Sequence, residues 1–264
     1  MAAPVHVTVW GDGRDGAGRA VLVHGTMTWG TDRYGFAAQR PLADVAELLI
    51  VDRRGFGASP DVDRSDYDVD AADVAELIGA GAHVVGHSYG AVVAILAASM
   101  RPDVVRSLAL IEPAAHRAAA REPVVAAALM RMRAAVAIAP AMTPAEWLRA
   151  STEAVGLAPL AATPAHLRAA ATAMRERPCW DAEVPLGELA GTPFPKLVVS
   201  GTWDGAPAAY REAAGEALMA CARVVAADIG AELLTVDRAS HWPHAERPEV
   251  VNAALRRLWR SAPG

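Results

Sequence analysis

Residues 83–90, His-Val-Val-Gly-His-Ser-Tyr-Gly, constrain the fold of this chain more than any other stretch. An apolar β-branched run, Val84-Val85, stops at Gly86-His87-Ser88-Tyr89-Gly90, and a small-residue helical pattern starts at once with Ala91. The pattern predicts a strand, a turn too tight for side chains at its two glycines, and a helix whose N-terminus carries an exposed, strained serine hydroxyl. The pentapeptide G-x-S-x-G is common by chance, and its place between a strand and a helix is what gives it meaning. The plain alternative is a glycine-rich turn with a passenger serine.

The flanking chain decides between them. Residues 5–10 alternate polar and apolar, as a strand exposed on one face does. Residues 11–18 read as a turn. The continuous apolar runs 20–24, 48–51, 107–111 and 196–200 read as strands covered on both faces, and 232–236 as the last strand. Helical spacing fills 39–48, 66–78, the stretch after Gly90, 207–228 and 248–260. Strands alternating with helices predict an α/β fold with a mostly parallel, doubly wound sheet. From 114 to 192 strand signals vanish, and Ala/Met/Arg-rich helical segments lie between recurring prolines. That stretch is too long for a connection and reads as a helical lid inserted after the sixth strand, with 1–113 and 193–264 forming the core.

In such sheets functional groups sit beyond the carboxyl ends of the strands. Thr26, Asp52, Ser88, Glu112, Asp204 and His241 all follow strands, so the polar residues of chemical interest gather on one edge.

Composition narrows the partners. A net charge of −5 and the lack of a dense basic run argue against nucleic acid. Apolar stretches are interrupted before the roughly 18–20 residues that span a bilayer, and the N-terminus lacks a basic start and an apolar core, so no membrane partner or signal peptide is expected. Cys179 and Cys221 are isolated, without metal-ligand spacing. A cytoplasmic monomer or homodimer acting on a small molecule, with no cofactor and no metal, is the expectation.

The ordered motifs His-Gly-Thr (24–26), Asp-Arg-Arg-Gly-Phe-Gly-Ala-Ser (52–59), Gly-His-Ser-Tyr-Gly (86–90), Gly-Thr-Trp-Asp (201–204) and His-Trp-Pro (241–243) resemble the α/β-hydrolase superfamily over nearly the whole chain. The resemblance implies Ser88 as nucleophile, a general base near the C-terminus, His241 with His244 as fallback, and a carboxylate that orients it. Two carboxylates compete. Asp204 holds the family's usual position, although its gap to His241 is several residues longer than usual. Glu112 holds the position some members use, delivered by an uninterrupted apolar strand into Pro113.

The resemblance further implies that the backbone N–H groups of Thr26 and Tyr89 form an oxyanion hole, with Met27 the neighbouring alternative to Thr26. Asp52 is expected to be architectural. His24, His83, His87, His116 and His166 have structural readings, with His87, beside Ser88 but expected to point elsewhere, also a candidate for the pocket. The substrate pocket is expected to draw on Met27, His87, Trp147, Trp180, Trp203 and Trp242. The implied activity is serine hydrolysis of a carboxylic ester or lactone of a small, largely apolar substrate through an acyl-enzyme. C–C bond hydrolysis or cofactor-free perhydrolysis on the same triad, and a ligand-binding, receptor-like use of the scaffold, stay open.

Overall fold

A computed structural model describes residues 3–11, 18–138, 141–154 and 156–262. The turn read at 11–18 lies almost wholly outside them. Seven strands, β1 (Val7–Trp10), β2 (Gly18–Val23), β3 (Ala46–Val51), β4 (Ala82–His87), β5 (Val105–Ile111), β6 (Lys196–Gly201) and β7 (Glu232–Val236), form one sheet in the order β1-β3-β2-β4-β5-β6-β7. The edge strand β1 runs antiparallel to β3, pairing Val7 with Val51, while the other pairings are parallel. The two kinds of strand differ in sequence for this reason. β1 lies at the sheet edge and is only partly covered, Val7 and Trp10 packing against opposite cores while Val9 is about half exposed, whereas the central runs are apolar throughout because helices cover both faces.

Successive residues of each strand feed opposite cores. Val21, Val23, Val84, Leu108, Leu110 and Val198 belong to one core that includes α1 (Tyr67–Ile78) and α2 (Tyr89–Met100). Ala20, Leu22, Val85, Ala109, Ile111 and Val199 face the other layer. Each fully buried aliphatic side chain contributes about 1.5–3 kcal/mol. The small residues of α2 let it sit against the sheet, and Ala91 to Ala98 are buried without a break. Asp66 caps α1, its side chain accepting from the Asp68 N–H.

The segment 114–192 follows the fifth strand, β5, rather than the sixth, and among the described residues it is helical: α3 (Pro123–Ile138), α4 (Pro144–Glu153), α5 (Pro164–Ala173) and α6 (Leu186–Ala190). It is not a uniform cover. Val125, Ala128 and Leu129 of α3 form a small core with Ala217, Ala220 and Cys221, whereas α4 and α5 pack on each other.

Two helix expectations change. The stretch 39–48 is a 3₁₀ helix over Ala37–Asp44 with Pro41 inside it, and β3 begins at Ala46. The single helix over 207–228 divides into α7 (Ala208–Tyr210), a π-helical turn (Arg211–Gly215) and α8 (Glu216–Ile229). The Trp203 ring fills the place of a Gly215 side chain, since a Cβ there would lie 2.6 Å from it. Periodicity cannot register that tertiary contact. The sheet closes with α9 (Pro243–Glu246) and α10 (Pro248–Ser261), whose Val251, Ala254, Leu255, Leu258 and Trp259 make one buried stripe.

Candidate active site

Ser88 sits between β4 and α2 with φ 55° and ψ −116°, a left-handed conformation that costs a non-glycine residue on the order of 1–3 kcal/mol. Its neighbours enforce the turn. A Cβ on Gly86 would lie 2.6 Å from Ala91 Cα, and one on Gly90 would overlap the Val23 carbonyl. The Ser88 N–H donates to the Ile111 carbonyl (2.9 Å) and its carbonyl accepts from the Ala91 N–H (3.0 Å). The hydroxyl makes no cap bond to α2. Instead Ser88 Oγ lies 3.1 Å from His241 Nε2.

His241 stands in the loop after β7. Its other ring nitrogen, Nδ1, faces Glu112 Oε2 at 3.8 Å. Glu112 follows β5, takes φ 47° and is fully buried. Its Oε1 accepts from the Gly201 N–H (2.7 Å), the Ser200 hydroxyl (2.9 Å) and Trp203 Nε1–H (3.4 Å). Those donors offset the cost of burying a charge. Glu112 Oε2 and His241 Nδ1 are both buried without a hydrogen-bond partner, and each is aimed at the other. Closing the gap by roughly 0.6–0.8 Å would make that hydrogen bond.

Asp204, the competing carboxylate, is not brought to the histidine. Its side chain is 66% exposed and pairs with Arg211 Nη1 at 2.9 Å. Trp203 explains this. With φ 61° it turns its indole inward to complete burial, which leaves the next residue facing solvent.

Behind His241 lie two further imidazoles. The ring centroids of His87 and His244 are 4.4 Å apart, and those of His87 and His241 are 4.9 Å apart. His87 Nε2–H donates to the His241 carbonyl (2.8 Å), so His87 holds the loop that carries His241. Burial, then the neighbouring imidazoles, push the His87 pKa well below the usual histidine value; burial takes His244 down to about 4. Both are neutral near pH 7. His24 is also buried, its Nδ1–H donating to the Gly25 carbonyl (2.7 Å) while Nε2 accepts from the Arg53 N–H (3.0 Å).

Gly25 approaches Ser88 so closely that a Cβ there would lie 3.1 Å from Ser88 Cβ. Thr26 and Met27 follow it at the cavity wall. Among the described residues, no backbone hydrogen bond outside the helices and strands engages the Thr26, Met27 or Tyr89 N–H. Tyr89 is the first residue of α2, where the N–H groups have no partner within the helix.

A cavity of about 210 Å³ opens over Ser88 and His241. Met27, His87 and Trp242 line it as expected. Trp147, Trp180 and Trp203 do not. Trp180 packs beside the small α3–α8 core, and Trp203 is buried under Glu112 rather than beside the cavity. The lining missed by sequence reasoning includes Tyr34 and Tyr210 from the core and Ser151, Leu157, Leu160 and His166 from the insertion. Only His166 drew attention in the sequence, and it was read there as structural. Asp52 keeps its architectural place, accepting from the Gly30 (2.8 Å) and Ala58 (2.9 Å) N–H groups.

Among the described residues no cluster of three or more His, Cys, Asp or Glu side chains could hold a metal ion, and no helix is long and apolar enough to cross a membrane.

A serine, a histidine and a buried carboxylate thus converge at the strand ends of a mostly parallel sheet. The sequence profile of the alpha/beta hydrolase family matches residues 20–254, and the chain belongs to that family. It is 34% identical over 109 residues to a pimeloyl-[acyl-carrier protein] methyl ester esterase of Neisseria meningitidis; the match spans 41% of this chain and 41% of that relative. A thermophilic esterase from Thermogutta terrifontis superposes with a TM-score of 0.62 at 24% identity, covering 97% of this chain and 93% of that one. An enol-lactonase from Burkholderia xenovorans LB400 does so with a TM-score of 0.62 at 22% identity, covering 97% and 96%. These structural likenesses speak for the fold.

Proposed function

We propose that the chain is a serine hydrolase of small carboxylic esters or lactones. The observation that carries the reading is the Ser88 Oγ to His241 Nε2 approach of 3.1 Å, with His241 Nδ1 turned to the buried Glu112 carboxylate. His241 removes the hydroxyl proton as Ser88 attacks the carbonyl carbon. Glu112 holds the imidazole with Nδ1 protonated and stabilises the imidazolium that forms. The Thr26 and Tyr89 N–H groups receive the oxyanion; their freedom from backbone partners supports that assignment. His241 then protonates the leaving oxygen, and water activated by the same imidazole releases the acyl group.

The esterase name of the relative matched in sequence favours this reaction class. At about 210 Å³ the cavity falls below the roughly 300–1,000 Å³ of pockets for drug-sized ligands, which favours a short acyl group. Met27, Leu157, Leu160 and Trp242 offer it an apolar wall, and the one carboxylate of the lining, Asp32, disfavours anionic substrates.

The test is turnover of p-nitrophenyl acetate by the full chain and by Ser88→Ala, beside an anionic ester such as a monosuccinate. Turnover of the neutral ester that Ser88→Ala abolishes is expected, with the anionic ester poorer. Equal turnover by Ser88→Ala would sink the reading.

A further inference from the structure

Where the insertion returns to the core it meets the loop that precedes Met27. The Glu176 side chain, 7% exposed, accepts from Arg53 Nη2–H at 2.7 Å and from the Thr26 hydroxyl. Arg53 is fully buried. It donates through Nη1 to Asp70 (3.0 Å), through Nη2 to the Gly25 carbonyl (3.0 Å) and through Nε to the His24 carbonyl (3.2 Å), while its N–H holds His24 Nε2. Three consecutive residues, His24, Gly25 and Thr26, are thus each gripped by Arg53 or Glu176. The same guanidinium lies 4.1 Å from the centre of the Tyr89 ring. The Tyr89 hydroxyl donates to the carbonyl of Arg177, the neighbour of Glu176 (3.2 Å).

One ion cluster therefore holds both residues whose N–H groups are assigned to the oxyanion, and one of its poles comes from the insertion. Stability alone gives weak grounds for such a cluster, because packed apolar side chains of similar volume are often as stable or more so. What the cluster supplies is orientation. Arg53 offers its donors in a rigid fork, and Glu176 joins that fork to the Thr26 side chain.

We propose that Glu176 is a positioning residue for the oxyanion site: through Arg53 and Thr26 it sets the two backbone donors, so that seating residues 175–178 on the core completes the site. This rests on the hydrolase reading above. Oxyanion donors act on the transition state more than on bound substrate, so the effect belongs in kcat. A role confined to holding the fold would lower the melting temperature and leave each correctly folded site at full speed.

The experiment measures kcat and KM on p-nitrophenyl acetate per fluorophosphonate-titrated site, with inhibition by a trifluoromethyl ketone that forms a serine hemiketal oxyanion. Glu176→Gln and Thr26→Val are each expected to lose about tenfold in kcat, with KM within about twofold and the ketone weakened in parallel. The double variant should be no slower than the poorer single one by more than about twofold, since both break one linkage. Thr26→Ser, which keeps the hydroxyl, should recover most of the kcat that Thr26→Val loses. Titrated sites in Glu176→Gln and Thr26→Val that keep their kcat, lose only KM, or lose kcat additively would overturn the proposal. Should Glu176→Gln fail to fold, the exposed Thr26 pair decides alone. A parent chain that takes no fluorophosphonate removes the hydrolase reading and this proposal with it, whereas a labelled parent with unaffected variants removes only the proposal.

Discussion

At the scale of single residues, Glu112 carries the sharpest expectation. Its Oε1 is occupied by three donors while Oε2 is left for His241, so Glu112→Gln should lower kcat by about a hundredfold or more, the loss of a triad carboxylate. Asp204→Asn should stay within about twofold, because that side chain is exposed and bound to Arg211. Steady-state turnover of an activated ester checks both. Ser88 yields a second prediction from its backbone. Ser88→Gly and Ser88→Ala should both be inactive, yet the glycine variant should be more stable than the alanine one by roughly 1 kcal/mol, because only glycine takes φ 55° without strain. Urea unfolding at neutral pH reads the difference. The choice of acid was not legible in the sequence. Both carboxylates follow apolar strands, and what separates them is the inward turn of Trp203, a large side chain whose burial decides where Asp204 points.

At the scale of elements, the strand-turn-helix around Ser88 was readable because its constraints are local: two glycines where side chains would collide, a β-branched run before them and small residues after. The π-helical turn at Arg211–Gly215 was not, since it depends on an indole supplied from another strand tip. Gly215→Ala tests that dependence. Its Cβ would lie 2.6 Å from the Trp203 ring, and overpacking of this kind costs about 1–3 kcal/mol. Because Trp203 Nε1–H donates to Glu112, the variant should also lose turnover. A chain that keeps both its unfolding midpoint and its activity would show that the ring has room to shift. The insertion was legible as helix and illegible as lining: Leu157 and Leu160 carry no signal apart from ordinary packing residues, and Trp147 and Trp180, expected there as apolar residues of the insertion, lie outside the lining.

At the scale of the whole molecule, five buried histidines, His24, His83, His87, His116 and His244, have pKa values lowered first of all by burial, His83 and His244 to about 4. A histidine lowered on folding takes its proton more readily in the unfolded chain, so its contribution is complete above pH 6.5 and is lost as pH falls toward 4. Asp70 acts in the opposite sense. Burial raises it to about 6 despite Arg53, so it favours the folded state as pH falls from about 6 toward 4. With five groups against one, stability should fall on acidification below pH 6.5, each histidine contributing up to about 1.4 kcal/mol per pH unit. Denaturant midpoints at pH 7 and pH 5 measure this, and His83→Gln should flatten the slope. A midpoint that holds steady or rises at pH 5 would count against burial of these imidazoles in the neutral form.

The α/β architecture, the strands along the chain and the edge on which the polar residues gather were visible in the sequence, because alternation and apolar runs record how many faces of a strand are covered; the order of the strands in the sheet was not. The convergence of β4, β5, β7 and the insertion on one cavity was not, because the residues involved are brought together only when the sheet closes. The central claim is that Ser88 is a nucleophile activated by His241. It is tested most directly by treating the full chain with a fluorophosphonate and locating the adduct by peptide mass spectrometry. One adduct, on the peptide that carries Ser88 and greatly slowed by His241→Ala, is the expected result; an unlabelled Ser88 under conditions that label a control esterase would contradict it.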